Sequence, residues 1–382
     1  MLSNTPRATL AEQLLVCPRW RREGLSGDPG NIIVFAHKDK IREACEKILA
    51  ASPSANIVGF HAHKGGMTEI VISRKGKNIV IPALPPDCLK TRPDCAGVLY
   101  WEGCVAPDLL YHLNTAIAAS ADIVIFPEIP AGAAGKRRDA GLCERRGPEL
   151  EKIYARLADD ESRLAFASVV KGLLTGGIEW PRPPVAPEYQ HPAVSAEAGD
   201  TVIDAGLFDS SVLRNFALTV GSAGRVFGFE PEPDNYKFVL ETLERFGDPG
   251  NITVVQKGLW SRKDRMNISQ EGASGKLCRD GASSACEVVD LDSFVRGNNI
   301  GKVDLIKMDI EGAELEALKG ARETIIRDKP KLQICAYHKI DDLTDIPAYI
   351  DAIAPGYKFW FASHAPYLNE YIYYSRYSGD SQ

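Results

Sequence analysis

The chain has 382 residues, a net charge of −6 and a pI near 5.8. That length accommodates two domains, each with its own core, and the acidic balance excludes a surface built for nucleic acid or an anionic membrane. No run of about 18 apolar residues offers a membrane span, the first residues (MLSNTPRATLAEQ) lack the apolar centre of a secretory signal, and the nine cysteines are scattered with no CxxC pair. A reducing, cytoplasmic setting is expected, without a disulfide framework or zinc site.

In chain order, 31–35 (NIIVF) reads as a strand, 40–51 as a helix with Ile41, Ala44, Cys45 and Ile48 on one face, and 56–60 as a second strand. Strand-like runs at 78–81, 97–100 and 122–126, with a helix near 107–119, extend this to a smaller N-terminal α/β domain over 1–131. The turn after the first strand is Phe35-Ala36-His37-Lys38-Asp39-Lys40, without the glycines that let backbone approach a pyrophosphate. The domain is therefore expected to be a degenerate Rossmann-like one, structural or substrate-recruiting. His61 and His63 are expected in a loop after the second strand.

Residues 132–199 read as a helical and proline-rich connector. The basic cluster Lys136, Arg137, Arg138, Arg145 and Arg146 suits a solvated linker. Helical periodicity at 149–157 and 161–174 follows, the second capped by Asp159 or Asp160, and five prolines between 180 and 192 then exclude a long helix or a central strand. From residue 200 onward the pattern is regular. Strands are expected at 201–205, 225–229, 252–256, 303–308, 332–337, 358–362 and 371–375, the first five joined by long crossovers, the last two by a short loop. One helix, 234–246, carries Tyr236, Val239, Leu240, Leu243 and Phe246 as its apolar stripe.

Functional groups gather where strands end, which in open α/β sheets is where ligands bind. The first strand of this half ends in Asp204 and Gly206, with Asp209 or Ser210 to cap the next helix. The second ends in Glu230, placed to accept both hydroxyls of a ribose. A single glycine in the first turn suits S-adenosylmethionine, which has no phosphate, better than a dinucleotide. The central stretch 303–314, VDLIKMDIEGAE, is a buried strand ending at Asp309 and turning at Gly312; Asp309 either faces the site or caps the next helix.

The stretches VIDAG, VFGFEPEPDNY, VVQKGLW, LIKMDIEGAELEALKGA and KPKLQICAYHK, followed by a tyrosine-rich last strand, resemble the FkbM family of S-adenosylmethionine-dependent methyltransferases over about 201–376. Residues 157–176 also resemble the segment preceding the catalytic domain in longer members. The resemblance implies a C-terminal domain over 200–382 with a seven-stranded Rossmann-like methyltransferase sheet, order 3-2-1-4-5-7-6 with strand 7 antiparallel. It further implies O-methylation, often of sugar hydroxyls in glycans or natural products. Asp204 and Gly206 would meet the methionine end of the donor, Glu230 the ribose, and residues 257–260, with Gly258 and Trp260, would border the adenine, Asp309 lying alongside.

Methyl transfer to a hydroxyl needs an aligned acceptor and a base. His338 is placed first as base because its ordinary pKa is closest to working pH, with Asp309 as orienting group and Glu311 beside it. Lys307, on the same strand face as Asp309, is expected to form a buried ion pair with it, and Glu314 to point along its helix and away. Mg²⁺ on Asp309, Glu311 and Glu314 is the alternative, and no metal is expected. His364 and the tyrosines Tyr367, Tyr371, Tyr373, Tyr374 and Tyr377 either border the acceptor or pack an edge strand. The expected partner is a small-molecule or glycan acceptor, with no nucleic acid and no membrane span; the oligomeric state stays open. Two rival readings stand beside this: an NAD-linked sugar-modifying oxidoreductase, and a non-catalytic binding or scaffold protein retaining the fold.

Overall fold

The computed structural model describes residues 31–37, 41–63, 68–74, 77–85, 92, 95–100, 123–126, 139–175, 186–207, 210–271, 274–278, 284–364 and 370–379. The helix expected at 107–119, the cluster at 136–138, Asp209 and Tyr367 lie outside them. The chain divides into two compact units, one of residues 1–145, 164–187 and 363–369, the other of 146–163, 188–362 and 370–382.

In the first unit, β1 (Asn31–His37), α1 (Ile41–Ala51), β2 (Asn56–His63), β5 (Cys95–Tyr100) and β6 (Ile123–Phe126) build a parallel sheet in the order β2-β1-β5-β6. Ile41, Ala44, Cys45 and Ile48 recur at helical spacing and pack with Ile32, Val34 and Phe60, which is why this short helix holds. His61 and His63 belong to β2 itself, where the sequence reading puts them in a loop; the strand runs on, and His61 Nδ1 lies 3.1 Å from the Leu84 carbonyl. A hairpin, β3 (Glu69–Arg74) with β4 (Lys77–Pro82), adds a strand the sequence reading lacks. Its Ile70 and Ile72 face the core while Val71 is exposed, a short alternation that is easily passed over.

Two helices follow in the chain, α2 (Leu142–Arg156) and α3 (Asp160–Thr175). Asp159 caps α3, accepting the Ser162 N–H at 2.8 Å.

In the second unit, seven strands form one sheet in the order β16-β17-β15-β14-β7-β8-β9. They are β7 (Thr201–Ala205), β8 (Arg225–Phe229), β9 (Ile252–Val255), β14 (Leu305–Met308), β15 (Lys331–Cys335), β16 (Tyr357–Ser363) and β17 (Tyr371–Tyr377). Pairing is parallel from β15 through β9 and antiparallel between β15 and β17. Strands β7 and β14 are buried along their whole length, as continuous apolar runs require in a sheet covered on both faces. The helices α4 (Ser211–Val220), α5 (Pro233–Phe246), α6 (Leu291–Gly297), α7 (Glu314–Gly320), α8 (Arg322–Asp328) and α9 (Asp342–Ile353) serve as connections. On α5, Val239 and Leu243 are buried but Leu240 is 41% exposed, so the buried stripe is narrower than the sequence pattern suggests.

The long connection after β9 holds a second, small sheet: β10 (Gly258–Leu259), β11 (Asp264–Glu271), β12 (Ser274–Cys278) and β13 (Ser284–Val289), in the order β10-β13-β11-β12. Its core of Met266, Ile268, Cys286 and Val288, with Trp260 against it, is small, and that explains why the pattern was not legible as strands.

Candidate active site

The parallel register sets Asp204 on β7 directly opposite Lys307 on β14, at the carboxyl ends of the two central strands. Lys307 Nζ lies 3.0 Å from Asp204 Oδ1 and donates to the carbonyls of Gly206 (2.7 Å) and Ala205 (3.3 Å). The ion pair expected between Lys307 and Asp309 is thus made with Asp204 instead, because the cross-strand neighbour is nearer than a residue two further along the same strand. Burial opposes the Lys307 charge, but Asp204 and then Asp309 hold its pKa above the ordinary lysine value. Gly206, at φ +87°, closes this corner: a Cβ there would stand 1.7 Å from the Asp309 carbonyl oxygen. The glycine is needed for the turn to pass against the tip of β14.

Asp309 does not cap α7. Its Oδ1 accepts the Tyr337 hydroxyl at 2.8 Å and its Oδ2 the Tyr189 hydroxyl at 3.0 Å. Burial would raise its pKa, yet Lys307, His338 and the two tyrosines hold it below the usual carboxylate range. Glu314 is the residue that turns inward. It is fully buried, and its Oε1 accepts the Ile310 N–H at 2.8 Å and sits 2.8 Å from His338 Nδ1. The expectation that Glu314 points away is corrected: as first residue of α7 its carboxylate folds back over the turn and meets the histidine.

His338 is therefore enclosed by carboxylates, with Nδ1 on Glu314 and Nε2 lying 3.4 Å from Glu311 and 3.5 Å from Asp309. Burial disfavours its charged form, but Glu314, Asp309 and Glu311 outweigh that and push its pKa up to about 9. At neutral pH the ring is an imidazolium. Ligand atoms of Asp309, Glu314 and His338 lie within 4.8 Å of one another, the one such group among the described residues able to hold a metal ion.

Glu230, at the tip of β8, accepts the Leu207 N–H at 3.1 Å on Oε2 and the Glu232 N–H at 2.9 Å on Oε1, and burial pushes it up to about 7. Gly258 and Trp260 flank Leu259 of β10; Gly258 packs toward Pro231, next to Glu230, while Trp260 leans on the core of the small sheet. Ser210 is 1% exposed, and its Oγ has no hydrogen-bond partner among the described residues.

The site brings Asp204, Gly206, Lys307, Asp309, Glu311 and His338 together, with Glu230 one strand further along. Sequence reasoning missed Tyr189, Tyr337 and the carboxyl pair Glu188 and Glu370. Tyr337 stands next to His338 and was within reach of a reading of YHK; Tyr189 lies among prolines, where no periodicity marks it. Tyr371, Tyr373 and Tyr374 are fully buried, so the packing alternative holds for them.

Residues 194–359 match the Methyltransferase FkbM domain model. The hexuronic acid methyltransferase AglP of Haloferax volcanii is 31% identical over 129 residues, 33% of this chain, and the match spans about half of that relative (51%). The crystal structure of Methyltransferase FkbM from Methylobacillus flagellatus KT shares the fold, with a TM-score of 0.54 over 95% of each chain at 21% identity. Over residues 194–359 the chain is thus similar to the FkbM family of methyltransferases.

Proposed function

We propose that the chain is an S-adenosylmethionine-dependent O-methyltransferase whose acceptor is a hydroxyl, carried by a sugar of a glycan, glycolipid or natural product. The observation that carries this reading is the division of the strand tips. Asp204 and Glu230 stand on β7 and β8, the side suited to a donor, while Asp309, Tyr337 and His338 stand on β14 and β15, the side suited to an acceptor.

The residues fit the donor. Each Glu230 oxygen accepts one backbone N–H and keeps a lone pair for a ribose hydroxyl, and the buried Ser210 Oγ has no partner among the described residues. Asp204, held by Lys307, would face the methionine end, and Gly258 and Trp260 the adenine. When bound, S-adenosylmethionine supplies an electrophilic methyl group.

The chain's own residues do the rest. Asp309 receives the acceptor hydroxyl and takes its proton as the new bond develops, and the two tyrosine hydroxyls fix its orientation. We assign the base to Asp309 in preference to His338, because a ring already protonated at neutral pH has no lone pair to offer. His338 then keeps Asp309 and Glu311 in place as their counter-charge. The relative that acts on a hexuronic acid supports a sugar as acceptor class. Residues 200–382 are taken as the catalytic domain, 1–131 as a separate small α/β domain and 132–199 as their connector; no described helix is long and apolar enough to cross a membrane.

Calorimetric titration with S-adenosylmethionine, S-adenosylhomocysteine and NAD tests the donor. Saturable binding of the first two, weakened by Glu230→Ala, is expected. Binding of NAD alone would overturn the reading.

A further inference from the structure

We infer that a second binding site, separate from the Asp309 corner, lies between α2 and α9 over Phe359 of β16, and that it takes a free α-amino acid with an aliphatic side chain of leucine size. The cavity there encloses about 100 Å³. This inference stands apart from the methyl-transfer reading.

The walls of the cavity are fixed by contacts of the chain itself. On α9, Thr344, Pro347, Ala348 and Asp351 recur at spacings of three and four and so share the face that lines it. Pro347 has no N–H for the Leu343 carbonyl, and that carbonyl accepts the Tyr373 hydroxyl instead (2.6 Å), which pins this stretch of α9 to β17. Arg146 Nη2 lies 3.1 Å from Asp341 Oδ1 and 3.3 Å from Asp345 Oδ1, and Arg156 pairs with Asp351. These pairs clamp α2 to α9 at both ends of the cavity. The Phe359 carbonyl accepts the Ala158 N–H (2.8 Å), tying the chain after α2 to β16. With both helices fixed, neither can close over the small side chains of Pro347 and Ala348, and a gap is left between them.

The interior is apolar. Ile153 and Phe359, 8% and 3% exposed, form its floor with Pro347. The Thr344 hydroxyl is turned to the Asp341 carbonyl (3.1 Å). A cavity of about 150 Å³ admits benzene, so this smaller one suits a body of about four carbon atoms, such as an isobutyl group.

The mouth, by contrast, carries both signs of charge. Glu149, Lys152 and Ala348 are exposed there, and the side chains of Glu149 and Lys152 have no ion-pair or hydrogen-bond partner among the described residues. Arg156, one turn beyond Lys152, uses Nη1 on Asp351 while its guanidinium lies 5.7 Å from the centroid of the Phe359 ring, so other N–H groups remain to donate. A carboxylate in the mouth meets Lys152 and Arg156, and an ammonium meets Glu149. A ligand with a single charge leaves one of these groups unanswered. An α-amino acid carries both charges beside the carbon that bears its side chain, which is the order found here: an apolar interior below a mouth of two signs. Its seat would also join α2, which precedes the family-matched segment 194–359, to α9 within that segment.

The test uses the full chain at pH 7 with leucine, 4-methylpentanoate (which lacks the ammonium), 3-methylbutylamine (which lacks the carboxylate) and glycine. Calorimetry gives the affinities and hydrogen exchange locates the binding. Leucine is expected to bind with a Kd of about 1 mM or tighter and to slow exchange in α2 and α9. Each single-charge analogue should bind about fivefold more weakly, and glycine, without the four buried carbons, about 100-fold more weakly. Glu149→Gln should narrow the advantage of leucine over 4-methylpentanoate, and Lys152→Gln its advantage over 3-methylbutylamine; both positions are exposed, so the fold is retained. Ala348→Leu sets three more carbon atoms at the mouth, on an exposed helical position that accepts leucine, and should weaken binding at least about tenfold. No binding of leucine, tighter binding of either single-charge analogue, protection outside α2 and α9, or full affinity in Ala348→Leu would each overturn the inference.

Discussion

Replacing His338 with Gln removes a buried cation from among three carboxylates, and the cost should depend on pH with a definite sign. Burial opposes charging of the ring, but Glu314, Asp309 and Glu311 carry its pKa from the ordinary 6.5 to about 9. At about 1.4 kcal/mol per pKa unit the shift corresponds to about 3 kcal/mol of folded-state preference, with little loss to solvent screening. The side chain is only 6% exposed. Because the folded pKa lies above the unfolded one, this stabilisation is fully present below pH 6.5, declines between 6.5 and 9, and is gone above. Guanidinium unfolding of wild type and His338→Gln, in steps across that window, should give a difference of about 3 kcal/mol at the acid end that shrinks toward zero at the alkaline end. Glu188, Glu230 and Asp342 also titrate in this range, pushed up to about 8, 7 and 7, but they are present in both proteins and largely cancel in the difference. A difference that stays constant with pH, or grows as pH rises, would refute the reasoning.

The same proton governs catalysis in the proposed mechanism. Turnover of any accepted acceptor should fall above about pH 9 as His338 loses its charge, whereas a rate that climbs through that range would return the role of base to His338. Gly206→Ala drives a methyl group into the Asp309 carbonyl at a positive φ, and denaturant melts should show a loss of more than about 3 kcal/mol or no folded protein. Asp204→Asn leaves Lys307 buried without its carboxylate and should cost about 3–5 kcal/mol by the same measurement; a neutral result would mean that the pair is not desolvated. Tyr189→Phe removes one hydroxyl from Asp309, so kcat should fall while KM for S-adenosylmethionine stays unchanged.

The sheet of the second unit was legible because its central strands are buried on both faces. Stretches such as 201–205 and 225–229 are short apolar runs, and the glycines and carboxylates that end them mark the tips without ambiguity. Asp204, Glu230 and Asp309 were found by that logic alone. The small sheet was not, since β11 begins with Asp264 and Arg265 and carries Asn267, Ser269 and Gln270, and only Met266 and Ile268 of that strand reach its core. Ionisation was illegible for a different reason. Whether His338 is neutral or charged depends on Glu314, and a residue at the start of a helix gives no sign in one dimension that its side chain folds back. Tyr189 depends on a contact across more than a hundred residues of chain, with Asp309, and no local pattern encodes it.

Tyr189, Glu311 and Glu370 share an unusual backbone: each has φ between +55° and +58°, where glycine would sit more comfortably. All three border the Asp309 corner. At the buried Tyr189 a glycine would leave a cavity costing more than the strain it relieves, but at Glu311 or Glu370 it would relieve about 1 kcal/mol of conformational strain while deleting a carboxylate from the site. The two glutamate positions therefore expose a conflict between thermal robustness and activity that selection can read. A library screened only for heat resistance should collect glycine there, and one screened for methyl transfer should reject it, so that comparing the two enrichment profiles would trace the outline of the active corner with no ligand at all.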